Sequence, residues 1–517
     1  MDLRHRLSWC SLIIVVSVAV SLPAEEAALQ PFRTLLEQSA FPENDEARRT
    51  LEAVIQAPAY PAVESTHQTI RQLVDDRLVQ FEARKAALHW YLIFKNQRGQ
   101  EPWETFPVWG RGTWIIKKDL LTGNFVQAKV FLQDEEGSFV RLFPAPAGRT
   151  RLDVHLYGQQ LGDDVLLPVA FDELLMAPFA RIASLSARSV DWRGIFPNPD
   201  SEGYRRVEEF LTNIQRFDDS IAEIHDAAID DLGRNVFIES GQPVSVGSQT
   251  PQGTFLQNGD TGLNCSGYIK WIGDGLYASW LGSPADRFLS IEALRLPTGR
   301  STKNSWSEAR TALSQDARSS LEGLLRDPFF GLDWNRNVAY AIEEARLGQR
   351  LSAQDRTALE PGSLSGAPSQ PDMGYTLDDL GTALYQLASD RPGTVYLAAV
   401  NSRFVPDSSG DDPQPLPLHQ YWHVSILAPW FENGDDGERG AFRVAVMDTG
   451  KVGETLLPNP LYDDEPLFPS VIQEKATRYA KLGKASDGSP VMPEVMVHLI
   501  RVDVPSQFQP APLPQAQ

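Results

Sequence analysis

The most informative segment of this chain is Gly262-Leu263-Asn264-Cys265-Ser266-Gly267-Tyr268-Ile269-Lys270-Trp271-Ile272. A turn-rich approach ends at Asn264, and an apolar helical pattern begins after Cys265. We therefore expect the thiol at a helix N-terminus, where unpaired N–H groups and the helix dipole favour the nucleophilic thiolate. The small residues Ser266 and Gly267 leave the sulfur accessible, and the same N–H groups are suited to receive an oxyanion. The pattern predicts a nucleophilic cysteine.

A thiol nucleophile needs a base, and the candidate is His423 in a strand-like segment, Gln420-Tyr421-Trp422-His423-Val424-Ser425-Ile426-Leu427. Imidazole is the side chain whose ordinary pKa lies near working pH. The next predicted strand ends in Asp448, a candidate for the polar group that orients the ring, although it also suits a plain turn before Thr449-Gly450. The remaining histidines show no metal-ligand spacing, so we predict no metal and no cofactor.

These segments, in this order, resemble the NlpC/P60 cysteine peptidases. The resemblance is carried by Gly241-Gln242-Pro243-Val244-Ser245-Val246-Gly247-Ser248, Asn264-Cys265-Ser266-Gly267, Pro392-Gly393-Thr394-Val395-Tyr396-Leu397 and His423-Val424-Ser425-Ile426. It implies that Cys265, His423 and Asp448 are nucleophile, base and orienting group. It also implies a papain-like fold, in which the cysteine helix packs against an antiparallel sheet that carries the histidine. The chain departs from the family pattern at Val244, where a tyrosine is usual, and at Asn264, where an aspartate is usual.

The fold class predicted from these signals is α+β. The separation between Cys265 and His423 is much longer than is usual in the family, which predicts a helical and loop insertion at about 285–372 beside the cleft. Apolar spacings of three and four favour helix before residue 104, and alternating patterns favour strands after it. The predicted domains are a signal peptide or N-terminal anchor (1–24), a helical region (25–104), a small antiparallel β module (105–160), a mostly helical connecting region (161–235), the NlpC/P60-like catalytic domain with its insertion (236–504) and a disordered tail (505–517).

Charge and the N-terminus limit the partners and the compartment. The chain carries 47 Lys and Arg against 68 Asp and Glu, a formal charge of −21, which disfavours nucleic acid as a partner. Arg4 and Arg6 precede an apolar run at 7–22, a pattern typical of a secretory signal peptide. We therefore expect a periplasmic or otherwise exported protein, with a tether to the inner membrane as the alternative if the leader is not cleaved. Without the leader, Cys265 is the one thiol of the chain.

The resemblance implies an exported thiol hydrolase that cleaves amide bonds in peptidoglycan stem peptides, with peptidoglycan or muropeptides as substrate. Two alternatives stay open at this point. One is a papain-like amidase or acyltransferase on another substrate, because such sites accept several acyl chemistries. The other is a non-catalytic cell-wall-binding or scaffolding protein. The β module fits wall binding, a spacer or a lid over the cleft.

Overall fold

A computed structural model describes residues 24–96, 110–134, 136–197, 200–250, 253–282, 287–298, 329–404, 418–433, 439–449, 451–455, 472–473 and 494–514. The fold mixes helices and antiparallel sheets and is α+β, as predicted. Within the described part of the chain, no helix is both long and apolar enough to cross a membrane. The predicted leader lies outside the described residues except for its last residue.

The N-terminal unit is an eight-stranded antiparallel sheet in sequence order with five short helices. The helices are α1 (Ala24–Gln38), α2 (Asp45–Thr50), α3 (Glu52–Ile55), α4 (Phe171–Met176) and α5 (Phe179–Ser186). The strands are β1 (His67–Arg71), β2 (Leu78–Lys85), β3 (His89–Asn96), β4 (Trp114–Asp119), β5 (Phe125–Phe131), β6 (Phe139–Ala145), β7 (Arg149–Leu156) and β8 (Gln159–Leu167). One apolar core joins the helices to one face of the sheet and extends from Leu36 to Phe196.

The prediction of a helical region at 25–104 is wrong beyond Ile55. Three strands follow, and β2 buries every second residue, Val79, Phe81 and Ala83, as a half-buried strand must. The apolar residues seemed to follow a helical period because the pattern included both buried strand residues and apolar residues at exposed turns. Leu73 is 88% exposed and Leu88 is 71% exposed. The predicted module at 105–160 is accordingly part of a larger sheet, which also includes β8 in the region predicted to be helical.

The C-terminal unit carries the cysteine helix against a six-stranded antiparallel sheet. Its helices are α6 (Ser201–Gln215), α7 (Cys265–Leu281), α8 (Ile291–Leu294), α9 (Phe330–Leu347), α10 (Ala353–Ala358) and α11 (Leu377–Asp390). Its strands are β9 (Ile221–Glu223), β10 (Ala227–Ile229), β11 (Asn235–Phe237), β12 (Thr261–Leu263), β13 (Tyr375–Thr376), β14 (Thr394–Phe404), β15 (Leu418–Asn433), β16 (Arg439–Asp448), β17 (Lys451–Thr455) and β18 (Val495–Asp503). The order in the large sheet is β13-β18-β14-β15-β16-β17. The mostly helical character predicted for 161–235 thus ends at Gln215, after which β9 to β11 follow.

Helix α9 shows that the predicted insertion at 285–372 is wrong in its second half. Leu332, Trp334 and Val338 are buried in the same core as α7 and the central strands. The indole N–H of Trp334 donates to the Ser266 carbonyl over 2.9 Å, directly behind the cysteine. A Cβ on Gly331 would lie 3.0 Å from the carbonyl oxygen of Tyr421. The backbones of the helix and of β15 therefore pack closely against each other at this point. The helix therefore belongs to the core of the C-terminal unit.

The predicted disordered tail at 505–517 is also wrong for the residues that are described, which end at Pro514. Ala511 is fully buried, and its carbonyl accepts the indole N–H of Trp271 over 2.7 Å. The hydroxyl of Thr261 donates to the Pro514 carbonyl over 2.6 Å. A proline-rich segment has few N–H groups but keeps its carbonyls, so it binds the α7 side of the unit as an acceptor.

The two units meet at α11. The hydroxyl of Tyr385 donates to the Ile195 carbonyl over 2.6 Å and is also bonded to the Gln133 amide. Thr382 donates to the Leu156 carbonyl over 3.0 Å. These buried contacts attach the N-terminal sheet to the helix that covers the back of the C-terminal sheet.

Candidate active site

The predicted helix start at Cys265 is confirmed, and Asn264 explains it. The Asn264 side chain accepts the N–H of Gly267 over 2.7 Å, and its carbonyl accepts the N–H of Tyr268 over 2.8 Å. Asparagine is among the best N-cap residues, so its replacement of the family's usual aspartate keeps the cap while omitting a negative charge. The cap leaves the N–H groups of Cys265 and Ser266 without an intrahelical partner, because the first turn has none to offer.

Gly267 fixes how closely the cysteine helix approaches its neighbours. A Cβ at this position would lie 2.0 Å from the carbonyl oxygen of Ala227 in β10, a distance that no side chain tolerates. The Asn264 N–H donates to that same carbonyl over 2.9 Å. The Ser-Gly pair after the cysteine therefore has a packing role in addition to leaving the partly exposed sulfur accessible.

The structure brings Asp448 to the far side of His423. The imidazole Nε2 lies 3.1 Å from Asp448 Oδ2, and the Thr449 N–H donates to Asp448 Oδ1 over 2.8 Å. Pairing between β15 and β16 includes Ile426 opposite Met447, one residue before Asp448. That register turns Asp448 toward the histidine, which sequence alone did not determine.

Cys265 and His423 interact closely enough that their pKa values move in opposite directions. Burial opposes charge on the Cys265 thiol, but the hydrogen bond and positive charge of His423 outweigh it, so the thiol pKa is lowered. Burial also opposes charge on His423, yet the Asp448 carboxylate and the Cys265 sulfur raise the pKa of the imidazole to about 10. The interaction of the Val424 backbone N–H with the sulfur also lowers the thiol pKa. The site therefore favours a thiolate beside an imidazolium near neutral pH.

Two contacts around the histidine were not anticipated from the sequence. The Trp422 ring stacks on the His423 ring with centroids 5.8 Å apart and planes 25° apart. Its indole N–H donates to Ser402 Oγ over 3.1 Å, which holds the ring in that position. The second contact is the Val424 N–H at the sulfur. Trp422 and Val424 are the neighbours of His423 in the chain, but no sequence motif predicts either contact.

The family's tyrosine position is occupied by a core residue. Val244 is 3% exposed and packs in a small cluster with Ile224, Ala227 and Leu256. It supplies no hydroxyl to the site. Among the described residues, no group of three His, Cys, Asp or Glu side chains is arranged to hold a metal ion.

A buried polar cluster lies on α9 and the neighbouring strands. Arg336 makes two hydrogen bonds of 2.9 Å to the Glu360 carboxylate and one of 2.5 Å to Asp372. His498 Nε2 lies 3.1 Å from Glu360 Oε2, and the Tyr421 hydroxyl donates to the Asp372 carbonyl. The cluster anchors β15 two residues before His423. Sequence reasoning missed it because its members are dispersed over 160 residues of chain without a local pattern.

Residues 37–194 match a family model described as a domain of unknown function (DUF8515). This match covers the N-terminal sheet and its helices, and it coincides with the single core of that unit. Neither the curated proteins nor the solved structures contain a match to this chain.

Proposed function

We propose that this chain is a thiol hydrolase of amide bonds, with Cys265 as nucleophile, His423 as acid and base and Asp448 as the orienting group. The observation that carries the proposal is the placement of Cys265, His423 and Asp448 together at the N-terminus of α7, with His423 Nε2 3.1 Å from Asp448 Oδ2 and a lowered thiol pKa. Such a set is the geometry that nucleophilic catalysis requires. The resemblance to NlpC/P60 peptidases supports the assignment of these roles.

The chemistry follows from the positions of the groups. The thiolate attacks the amide carbonyl carbon, and the N–H groups of Cys265 and Ser266 are suited to stabilise the negative oxygen that develops. The His423 imidazolium gives its proton to the nitrogen of the breaking C–N bond, so an amine leaves and a thioester remains. His423 then takes a proton from water, whose oxygen attacks the thioester, and the carboxylic acid leaves as the thiolate is restored.

Peptidoglycan stem peptides are the substrate that the resemblance supports, in keeping with the export expected from the N-terminal pattern. An amidase or acyltransferase on another substrate would use the same residues. A non-catalytic wall-binding protein is disfavoured by the lowered thiol pKa of the partly exposed Cys265, because perturbed pKa values concentrate at functional sites.

The test is to incubate the purified protein with muropeptides over a range of pH and to identify products by mass spectrometry. New amine and carboxylate ends at one stem-peptide bond are expected. Alkylation by iodoacetamide should be rapid at pH 6, where an ordinary thiol reacts slowly. Rapid alkylation without cleavage would favour another acyl substrate, whereas slow alkylation and intact muropeptides would contradict the proposal.

Replacement of Asp448 by asparagine is expected to lower turnover by about 100-fold, at the lower end of what acid–base groups supply. Both limbs of the pH profile should also move to lower pH. The carboxylate raises the pKa of both neighbours, so its loss lowers the pKa of the His423 imidazolium and of the Cys265 thiol together. Steady-state rates between pH 4 and 11 measure this.

The matched control is Asp390→Asn, an exposed aspartate at the end of α11. It should leave both limbs unchanged. An Asp448→Asn profile that falls in height without moving would assign Asp448 a structural role instead.

A further inference from the structure

The N-terminal sheet carries a row of cations on the face opposite its core. Strands β3 to β7 contribute basic residues to that face: the register pairs Lys129 with Arg141, places Lys117 and Arg151 two residues to one side of that line, and places Lys95 two residues to the other side. We call this set the cationic row: Lys95, Lys117, Lys129, Arg141 and Arg151. The row is notable because the whole chain has a formal charge of −21.

The positive charge of the row is only partly neutralised. Lys95 pairs with Glu82 at 3.1 Å, Arg141 with Asp153 at 2.8 Å, and Arg151 with Asp164 at 3.2 Å. Within the described part of the chain, neither Lys117 nor Lys129 has a carboxylate within ion-pair distance. Burial and then the charge of Arg141 lower the pKa of Lys129, the charge of Glu136 opposes them, and the charge of Lys117 adds to the lowering. The centre of the row is therefore electropositive.

Aromatic rings hold the cations of the row in place. Lys129 Nζ lies 3.9 Å from the centroid of Phe139, and the guanidinium carbon of Arg151 lies 4.4 Å from that of Phe143. Arg141 lies on the same Phe143 ring at 4.9 Å. Because the rings already hold these side chains in position, binding of an anionic ligand would cost little side-chain conformational entropy.

A polar cavity adjoins the first residue of the row. Its volume is about 220 Å³, and its lining includes His67, Thr69, Gln80, Glu82 and Lys95. The cavity is smaller than the roughly 300 Å³ at which pockets for drug-sized ligands begin. Imidazole, hydroxyl, amide, carboxylate and ammonium groups together suit a small group rich in hydroxyls, such as one sugar ring.

We propose that the cationic row and this cavity form a binding surface for a carboxylate-bearing polysaccharide that lies across strands β3 to β7. Neighbouring strands are about 4.8 Å apart, so the five cations extend over roughly 19 Å and fit several sugars with spaced charges. Duplex nucleic acid places one charge at about every 1.7 Å, a much closer spacing than the roughly 4.8 Å between the strands that carry the cations. The proposal uses no residue of the Cys265 site and does not depend on the proposed hydrolysis.

The test measures binding of polygalacturonate, which carries a carboxylate on each sugar and no amide bond, to the full chain by calorimetry. The wild-type chain should bind it, and neutral dextran should not bind. The double variant Lys117→Gln/Lys129→Gln should weaken binding by about tenfold and reduce the dependence of Kd on salt, since two charge contacts are lost. The matched control is Arg188→Gln/Arg193→Gln, which removes two exposed cations from the segment that follows α5 and should leave Kd unchanged.

Failure of polygalacturonate to bind would overturn the proposal. So would an equal loss in the control variant, because the effect would then reflect net charge alone. Tighter binding of a thymidine 30-mer or of phosphatidylglycerol vesicles would assign the surface to nucleic acid or to a membrane instead. Cleavage of muropeptides by the double variant at the wild-type rate would separate this surface from the proposed hydrolysis.

Discussion

Cys265→Ala is expected to abolish turnover of the muropeptide substrate, by roughly 10⁶-fold, the scale at which hydrolases lose activity when the nucleophile is removed. The substitution keeps the Cβ and removes only the sulfur at the end of a capped helix. The fold should therefore persist. No neighbouring group replaces the thiolate, because His423 and Asp448 are positioned to move protons and orient the ring.

Two control variants make this result specific. Cys265→Ser keeps the shape of the side chain, but a hydroxyl does not ionise beside the imidazole as a thiol does, so it should be nearly as inactive. Asn264→Asp keeps the N-cap, which both residues form well, and should retain activity. Circular dichroism should show intact secondary structure for all three variants. Substantial turnover by Cys265→Ala would place the chemistry elsewhere in the molecule.

The largest stability effect is expected for Arg336→Leu, which should destabilise the C-terminal unit by about 3–5 kcal/mol. Arg336 is 4% exposed, and its loss leaves the carboxylates of Glu360 and Asp372 without their cation inside the protein. Removing one member of a buried ion pair is costly because the remaining charge has lost its solvation and its partner. Urea unfolding of the full chain measures the change, with the transition of the N-terminal unit as an internal reference.

The pH dependence of this loss has a definite sign. Burial opposes charge on Glu360, but its contacts with His498 and Arg336 outweigh burial and hold the carboxyl pKa well below its usual range. A depressed carboxyl pKa stabilises the fold above the unfolded pKa and loses that effect as pH falls. The difference between Arg336→Leu and wild type should therefore be full at pH 7 and shrink in acid.

Arg346→Leu is the matched control on the same helix. Its guanidinium is 29% exposed and pairs with Glu343 and Asp503 near the surface, where ion pairs contribute about 1 kcal/mol or less. Equal effects of the two substitutions would show that the buried cluster is no more important than a surface pair. In that case the buried contacts of α9 would contribute less to the stability of the C-terminal unit than its packing indicates.

The sequence alone was sufficient to locate the cysteine helix and the histidine strand. An N-cap asparagine, a small-residue pair and an apolar helical run are local signals, and their structural consequence depends only on residues a few positions apart. The strand-like composition around His423 is local in the same way. For this reason the start of α7 at Cys265 and the position of His423 in β15 agree with the prediction.

Which apolar residues face a core depended on long-range packing. Between residues 67 and 96, the apolar spacing predicted a helix. In the structure, Leu73 and Leu88 lie exposed in turns, and the strands bury alternate residues. Helix α9 and the proline-rich tail were assigned to the periphery because their partners, α7 and β15, lie far away in sequence. The turn of Asp448 toward His423 depended on a register between strands, a long-range pairing that a local pattern cannot contain.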